Sequence, residues 1–476
     1  MPHIIPFRAL LSVPRVVKAT AALGLSLATA ACSLTPSYHR PAVATAPSWN
    51  GKPQASVNAV SATGAWWQSF HSAELDRLMQ QSLAGNFNLA AAEARVAEAA
   101  GTAQVDAAPL FPQLSLGVTQ SQTMGVKNSS TQQAVGQASY ELDFWGKNRA
   151  AAQSGRALAQ ASVYDAQTVA MTLSGSVADT YFLVLSLNER IRLAQQIVAD
   201  AQHVLSLVVV QQSAGTATML QVQQQRNAVA TFQAAIPVLQ QQSDQAMHLL
   251  AVLTGKAPEG FAIGGQDLVG LADPAVQPNL PSALLEQRPD IRAAEARLRS
   301  ANFDIGVARA AFFPTVSLTG AVGFGARHLS DFFPPAAVTD LGTSILQPLF
   351  SGGQLQGQLR YSRARQVEMV ATYRQTVITA FQDVEDQLSA LSHFHDQESI
   401  EVTAEAAASQ AYALAELQYR LGAADYLTVL TTEESLYQAQ DSLLQLRLQR
   451  YQATVGLFRA LGGGFAAPAT ASQAGG

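Results

Sequence analysis

Phe313-Pro314-Thr315-Val316-Ser317-Leu318-Thr319-Gly320-Ala321-Val322-Gly323-Phe324 is the stretch whose reading decides the fold. Its pattern has a period of two. Val316, Leu318, Val322 and Phe324 share a face with Gly320, while Thr315, Ser317, Thr319, Ala321 and Gly323 take the other. Successive side chains of a strand point to opposite faces, so this is a strand with one apolar and one polar surface. Such alternation over about ten residues suits a strand with lipid on one side and water on the other, and also the half-buried hairpin of a soluble domain.

The same pattern occurs earlier in the chain. Phe111-Pro112-Gln113-Leu114-Ser115-Leu116 matches Phe313 to Leu318 at an offset of 202, and Glu93-Ala94-Arg95-Val96 matches Glu295 to Leu298 at the same offset. Gly215 and Leu220 match Gly422 and Leu427 at an offset of 207. A register held this far marks an internal duplication. Each copy has a returning strand, expected at about 133–144 and 339–349. In the first, Ala138, Tyr140, Leu142 and Phe144 oppose Gln137, Ser139, Glu141 and Asp143.

Between the hairpins the chain reads as helix. The 20 prolines leave two long gaps, from Pro112 to Pro237 and from Pro348 to Pro468. Proline breaks helices, so long helices can occupy the gaps, over Lys147 to Ser213 and Gln354 to Leu421. Each would be a rod of ~100 Å at 1.5 Å per residue. Rods of that length need partners along them. Gly215 and Gly422 end them, and second helices follow, expected from Thr218 to Leu253 and from Tyr426 to Leu461. Pro237 predicts a kink or an earlier end in the first of these. Shorter helices, expected near 72–109 and 282–311, open each half, and end to end with the returning helices they add up to the length of a rod.

Four strands cannot cross a membrane alone, because lipid tolerates no open sheet edge and the smallest barrels have about 8 strands. Two copies would supply about 8 strands and three about 12, the larger number leaving room for a water-filled lumen.

Composition limits the remaining readings. Charged residues are 13% of the chain, about half the usual share, and only five are Lys. The net charge of −5 excludes a strongly basic nucleic-acid binder, and the single Cys excludes a disulfide framework or a Cys-based zinc site. No HExxH, GxSxG, P-loop or Rossmann glycine signature occurs. His393 and His395 are two apart and diverge on a helix, so they read as surface residues rather than metal ligands.

The N-terminus reads as an export signal. Residues 1–31 hold Arg8, Arg15 and Lys18 with no acidic residue, followed by an apolar run from Ala19 to Ala31 too short to span a bilayer. Thr29-Ala30-Ala31-Cys32-Ser33 resembles a bacterial lipoprotein processing site, with Thr29 where Leu is usual. The resemblance implies acylation of Cys32, and Ser33 in place of Asp implies the outer membrane as destination.

Further segments carry a wider resemblance: Tyr38-His39-Arg40-Pro41; Trp66-Trp67-Gln68-Ser69-Phe70 with Leu75, Leu78, Leu83 and Asn86; Tyr140 to Gly146; Arg288-Pro289-Asp290-Ile291; Gln347 to Gly353; and Tyr419-Arg420-Leu421-Gly422. Together they resemble the outer-membrane factor family of tripartite efflux pumps, the TolC- and OprM-like proteins, and most closely its NodT-type lipoprotein branch. The resemblance implies a mainly α protein with a transmembrane β part. Long helical hairpins would form a trimeric α-barrel, and a 12-stranded β-barrel would be shared as four strands per protomer.

The division expected is a signal peptide (1–31), a lipid-anchored segment (32–71), a first repeat (72–255), a linker (256–281), a second repeat (282–461) and a tail (462–476). The homotrimer would meet a periplasmic adaptor and, through it, an inner-membrane pump. It would carry drugs and toxic compounds outward without covalent chemistry and without a cofactor beyond the lipid on Cys32. Gly215, Thr216, Gly422, Ala423, Ala424 and Asp425 match the family's adaptor-contacting turns. Tyr419, Arg420, Thr428 and Thr431 fall in its gate region. Thr428 and Thr431 stand where many members carry acids, and Tyr419, Arg420 and Asp425 would either hold the tips shut or be solvated. Two other roles remain open, an exit duct for secreted polypeptides and a non-transporting periplasmic coiled-coil scaffold.

Overall fold

The structure, a computed structural model, describes residues 33–50, 64–124, 129–264, 267–278, 280–326 and 336–463. Cys32, the signal segment and most of the tail lie outside the described residues.

The chain order is α1 (Ala73–Gly85), α2 (Phe87–Ala107), β1 (Gln113–Thr123), β2 (Ser129–Leu142), α3 (Lys147–Ser213), α4 (Met219–Leu253), α5 (Leu284–Gln287), α6 (Pro289–Ala310), β3 (Thr315–Ala326), β4 (Ala336–Leu346), α7 (Gln354–Arg420) and α8 (Tyr426–Ala460). Both rods are 67 residues long. Both returning strands begin and end about three residues earlier than the alternation suggested, so Phe144 lies past the end of β2.

Two departures from expectation have local causes. The first short helix is divided at Asn86, whose backbone is extended (φ −74°, ψ 123°). The second is divided at Arg288 (φ −79°, ψ 123°), where the following Pro289 disfavours helical backbone. Pro237, by contrast, does not end α4. It lies on the exposed side of the helix, so the carbonyl it leaves without a partner can turn to water, while Phe232, Ile236 and Leu239 pack on the other side.

The residues form two compact units. One takes in residues 33–40, 98–160 and 296–371. Its sheet is antiparallel in the order β1-β2-β3-β4, with Leu114 opposite Ala138, Ala138 opposite Gly320, and Gly320 opposite Leu341. Its helices pack closely through small residues. Ser154 Oγ donates to Asp304 Oδ1 at 2.7 Å and lies 2.8 Å from Ser300 Oγ. The N-terminal segment is laid against α6: Asn302 Nδ2 donates to the Pro36 carbonyl (2.8 Å), Arg309 Nη1 donates to the Leu34 carbonyl (3.1 Å), and the Arg299 guanidinium lies over the Tyr38 ring. Gly306 allows that approach, since a Cβ there would fall 2.1 Å from Thr35 Oγ1.

The other unit takes in residues 41–97, 161–295 and 372–463. An aromatic core is built from Trp66, Phe70, Phe182, Tyr451 and Phe458, with Phe70 5.0 Å from Phe182 and Phe182 5.2 Å from Tyr451, centroid to centroid. Burying such side chains stabilises by about 2–3 kcal/mol each. The segment joining the repeats is tied across this core. Leu268 N donates to Glu189 Oε1 (2.7 Å), Tyr451 Oη to the Leu271 carbonyl (3.0 Å) and Ala272 N to the Phe70 carbonyl (3.2 Å).

Candidate functional site

Two places in the molecule carry candidate function, the helical turns and the sheet. The turns are built alike. Gly215 has φ +79° and Gly422 φ +72°, a left-handed conformation that costs glycine least. Gly215 N donates to the Gln212 carbonyl and Thr216 N to the Gln211 carbonyl; Gly422 N donates to the Tyr419 carbonyl and Ala423 N to the Gln418 carbonyl. This is one Schellman motif made twice, satisfying carbonyls the ending helices leave open. The next helix is then capped. Thr218 and Gln221 form a capping box, and Asp425 Oδ1 accepts from Thr428 N (2.8 Å) and Thr428 Oγ1 (2.6 Å). Those two bonds hold the Asp425 carboxyl below the usual carboxylate range. Gly215, Thr216, Gly422, Ala423 and Asp425 are exposed, and Ala424 is half-buried.

The candidate gate residues divide. Tyr419 is buried in a cluster with Val204, Val208, Val222, Ala415, Tyr426 and Val429, which joins α3 and α4 to α7 and α8. Its hydroxyl donates to Gln211 Oε1 at 2.5 Å, and burial raises its pKa. Arg420 pairs with Glu416 one turn back on its own exposed helix surface. Thr428 and Thr431 are exposed, and Thr431 Oγ1 donates to the Leu427 carbonyl (3.0 Å).

Sequence reasoning overlooked two residues of this region, Gln211 and Gln225, and placed Glu433 among the carboxylates nearest Thr428 and Thr431 without foreseeing its burial. Gln211 receives Tyr419. Gln225 is fully buried; its Nε2 donates to the Ala201 carbonyl (2.9 Å), and its Oε1 accepts from the Tyr426 hydroxyl. Glu433 is buried between the helices. The last was visible as a polar residue in the stripe Tyr426, Val429, Glu433, Leu436, whose 3–4 spacing marks a packing seam.

The sheet exposes its apolar face. Leu114, Leu116, Val118, Val322, Leu341 and Ile345 are uncovered, Leu341 being 91% exposed, and the register puts them on one side. At the helix end of the strands stand Phe111, Phe144, Trp145, Phe313 and Phe350. Trp145 stacks on Phe313 at 4.7 Å, and its Nε1 donates to the Pro314 carbonyl at 2.7 Å. An apolar band bordered by aromatic side chains fits lipid and its interface. Within the described sheet, β1 and β4 are edges. Among the described residues no three His, Cys, Asp or Glu side chains converge as metal ligands.

The profile of the outer membrane efflux protein family matches residues 78–256 and 280–463, one segment in each repeat. The pyoverdine export outer membrane protein OpmQ of Pseudomonas aeruginosa PAO1 is 39% identical over 420 residues, covering 84% of this chain and 87% of that protein. The outer membrane protein OprJ of the same strain is 31% identical over 458 residues, covering 93% and 95%. The open state of the Neisseria gonorrhoeae MtrE outer membrane channel is similar in fold, with a TM-score of 0.83 at 28% identity, covering 91% of this chain and 98% of that one.

Proposed function

The chain belongs to the outer membrane efflux protein family, and from that premise we propose that three copies of it assemble into a passive duct fed by a periplasmic adaptor and an inner-membrane pump. One observation carries the reading: a four-stranded sheet with an uncovered apolar face and two open edges. Lipid would cover the face, but it cannot satisfy the edge N–H and C=O groups. Pairing β4 of one copy with β1 of the next satisfies both edges at once. Three copies give about 12 strands and a lumen lined by Gln113, Ser115, Thr315, Ser317 and Thr319.

The two Schellman turns would meet the adaptor. Their exposed glycines, with no Cβ, admit close approach by a partner's backbone. Tyr419, Arg420, Thr428 and Thr431 would lie at the gate the tips form. Cys32 would be acylated. Leu34 is held by Arg309, a few residues from the aromatic ends of the strands, so an acyl chain two residues upstream would reach the membrane interface. The duct would perform no covalent chemistry and hold no cofactor, its energy coming from the pump. The OpmQ relative favours small organic molecules as cargo over secreted polypeptides, and the apolar sheet face disfavours a membrane-free scaffold.

The test is assembly and conductance. Protein extracted from outer membranes should migrate as a heat-dissociable trimer and form pores in planar bilayers. A monomer in mild detergent that never conducts would refute the duct.

A further inference from the structure

Glu433 occupies an apolar position in the seam between α3–α4 and α7–α8. Its neighbours along the α8 stripe, Tyr426, Val429 and Leu436, are buried hydrophobics, and Glu433 itself is 2% exposed. Neither carboxylate oxygen has a hydrogen-bond partner among the described residues. The Gln225 amide of α4 donates to the Ala201 carbonyl and lies close enough to Glu433 to favour its ionised form, without a full hydrogen bond to either oxygen. Among the described residues no cation is paired with it. α3 presents Asp200, with His203 beside that acid; α7 presents Tyr412 and Glu416, the latter paired with Arg420; α8 adds Tyr426 and Glu434. The group is an acid among acids, about two helical turns from the Asp425 cap at the tip.

We propose that Glu433 is a proton-operated latch at the periplasmic end of the helical tube. Protonated, it leaves the two hairpins packed at their tips; ionised, it drives them apart, so the end of the duct opens as the surrounding pH rises. The proposal rests on the duct reading for its consequence, which is flow, and not for the motion itself.

The physical reason is desolvation. A buried anion without a partner is costly, and the strain is relieved either by taking a proton or by reaching water. Burial, and behind it the charges of Asp200, Glu434 and Glu416, push the Glu433 carboxyl up to about 7 in the packed seam, against the pull of Gln225. Separated and wet, the group would return toward its ordinary value of 4.5. Packing therefore takes up a proton between those values. Below 4.5 both states are protonated and the seam is at its strongest. Through the window to about 7 the ratio of packed to separated tips falls, by at most about two and a half orders of magnitude. Above the window both states are ionised and this group changes nothing more.

The experiment is hydrogen–deuterium exchange on the full-length protein in detergent, read in peptides covering 200–232 and 412–437 and corrected for intrinsic rates, between about pH 5 and about pH 8. In the natural protein, protection of these peptides should fall at least about tenfold as pH rises. In Glu433→Gln it should stay high and flat. Glu433→Leu, which fills the stripe with an apolar side chain, should behave like Glu433→Gln and covers a folding failure of the amide variant. Natural-protein protection that does not change with pH, or neutral variants that lose protection as the natural protein does, would overturn the latch. Planar-bilayer conductance on the same samples separates the two readings. A pH-dependent tip with no conductance at any pH refutes the duct and leaves the latch standing. Conductance with a pH-independent tip does the reverse.

Discussion

The side-chain amide of Asn86 donates to the carbonyl oxygen of Leu253 at 3.0 Å, while its Oδ1 accepts from the backbone N–H groups of Asn88 and Leu89. One amide thus satisfies the open end of α4 and the open start of α2, and the two helices abut end to end. The second repeat reaches the same joint with different chemistry. Arg288 Nη1 donates to the carbonyl of Ala460, the last residue of α8, at 3.1 Å, and α6 begins at the next residue. The cation at a helix C-terminus adds a favourable charge–dipole term. These joints let a short helix and a returning helix together match one rod.

Glycines make the joints possible. Gly255 has φ +74°, and a Cβ there would sit 2.0 Å from the Gly85 carbonyl oxygen. Gly255→Ala should destabilise by at least about 2 kcal/mol, combining left-handed strain with a backbone clash. Gly215→Ala meets nothing within 4 Å and should cost about 1 kcal/mol. Heat-dissociation temperatures of the two variants check the contrast; equal losses would contradict it.

Arg288 is buried and held by Asp290 (2.7 Å) and Asp383 (3.0 Å) as well as by Ala460. Although burial opposes it, the two carboxylates raise its pKa, so it stays charged. Arg288→Met should cost about 2–3 kcal/mol, less than a fully buried pair because both acids are partly exposed. Arg288→Lys should recover only part of this, since one ammonium cannot replace a three-way fork. Heat-dissociation temperature and outer-membrane yield measure both.

The two sheet faces should respond oppositely to charge. Val118 lies on the apolar face at mid-strand and is uncovered; Val118→Arg should cost about 2–4 kcal/mol in the membrane. Thr119→Arg, on the other face, should be tolerated and should alter ion selectivity. Outer-membrane yield and bilayer recordings separate them, and equal tolerance would argue against lipid on the apolar side.

Asp179 is half-buried on α3, its Oδ1 enclosed and without a hydrogen-bond partner among the described residues. Burial raises its pKa to about 6 from 3.8, against the pull of Arg459. The native state therefore binds the extra proton, and stability from this group falls as pH rises from 3.8 to about 6. Asp179→Asn should flatten that dependence and gain about 1–3 kcal/mol above the window. Melting temperatures across the range test the sign, and a natural protein that gains stability there through this residue would refute it.

Cys32→Ala should abolish acylation and leave the assembly able to form, because the sheet edges and helices would drive it. Metabolic labelling with palmitate, with trimer formation followed by gel migration, reads both outcomes. Label retained on the variant would dismiss the site.

Much of the fold was legible because its signals are local. Proline-free spans delimit α3 and α7, Gly215 and Gly422 end them, and a period of two marks β1 and β3; each depends on neighbours a few residues away. The turns at 215 and 422 were legible for the same reason. The strand ends were less so, since pairing, not alternation, decides where a ladder stops.

What the sequence alone determined is the duplicated plan: two rods, two returning helices, two hairpins and the punctuation between them. Only the tertiary structure decided that Pro237 is absorbed, that Asn86 joins two helices, that the Asp179 carboxyl is drawn inward despite Arg459, and that Glu433 lies buried with no cation paired to it among the described residues. Those properties depend on groups far apart in the chain, as Asn86 is from Leu253 or Glu433 from Asp200. Desolvation is set by everything that surrounds a group, whereas a helix stop or a strand's alternation is set by the residues beside it.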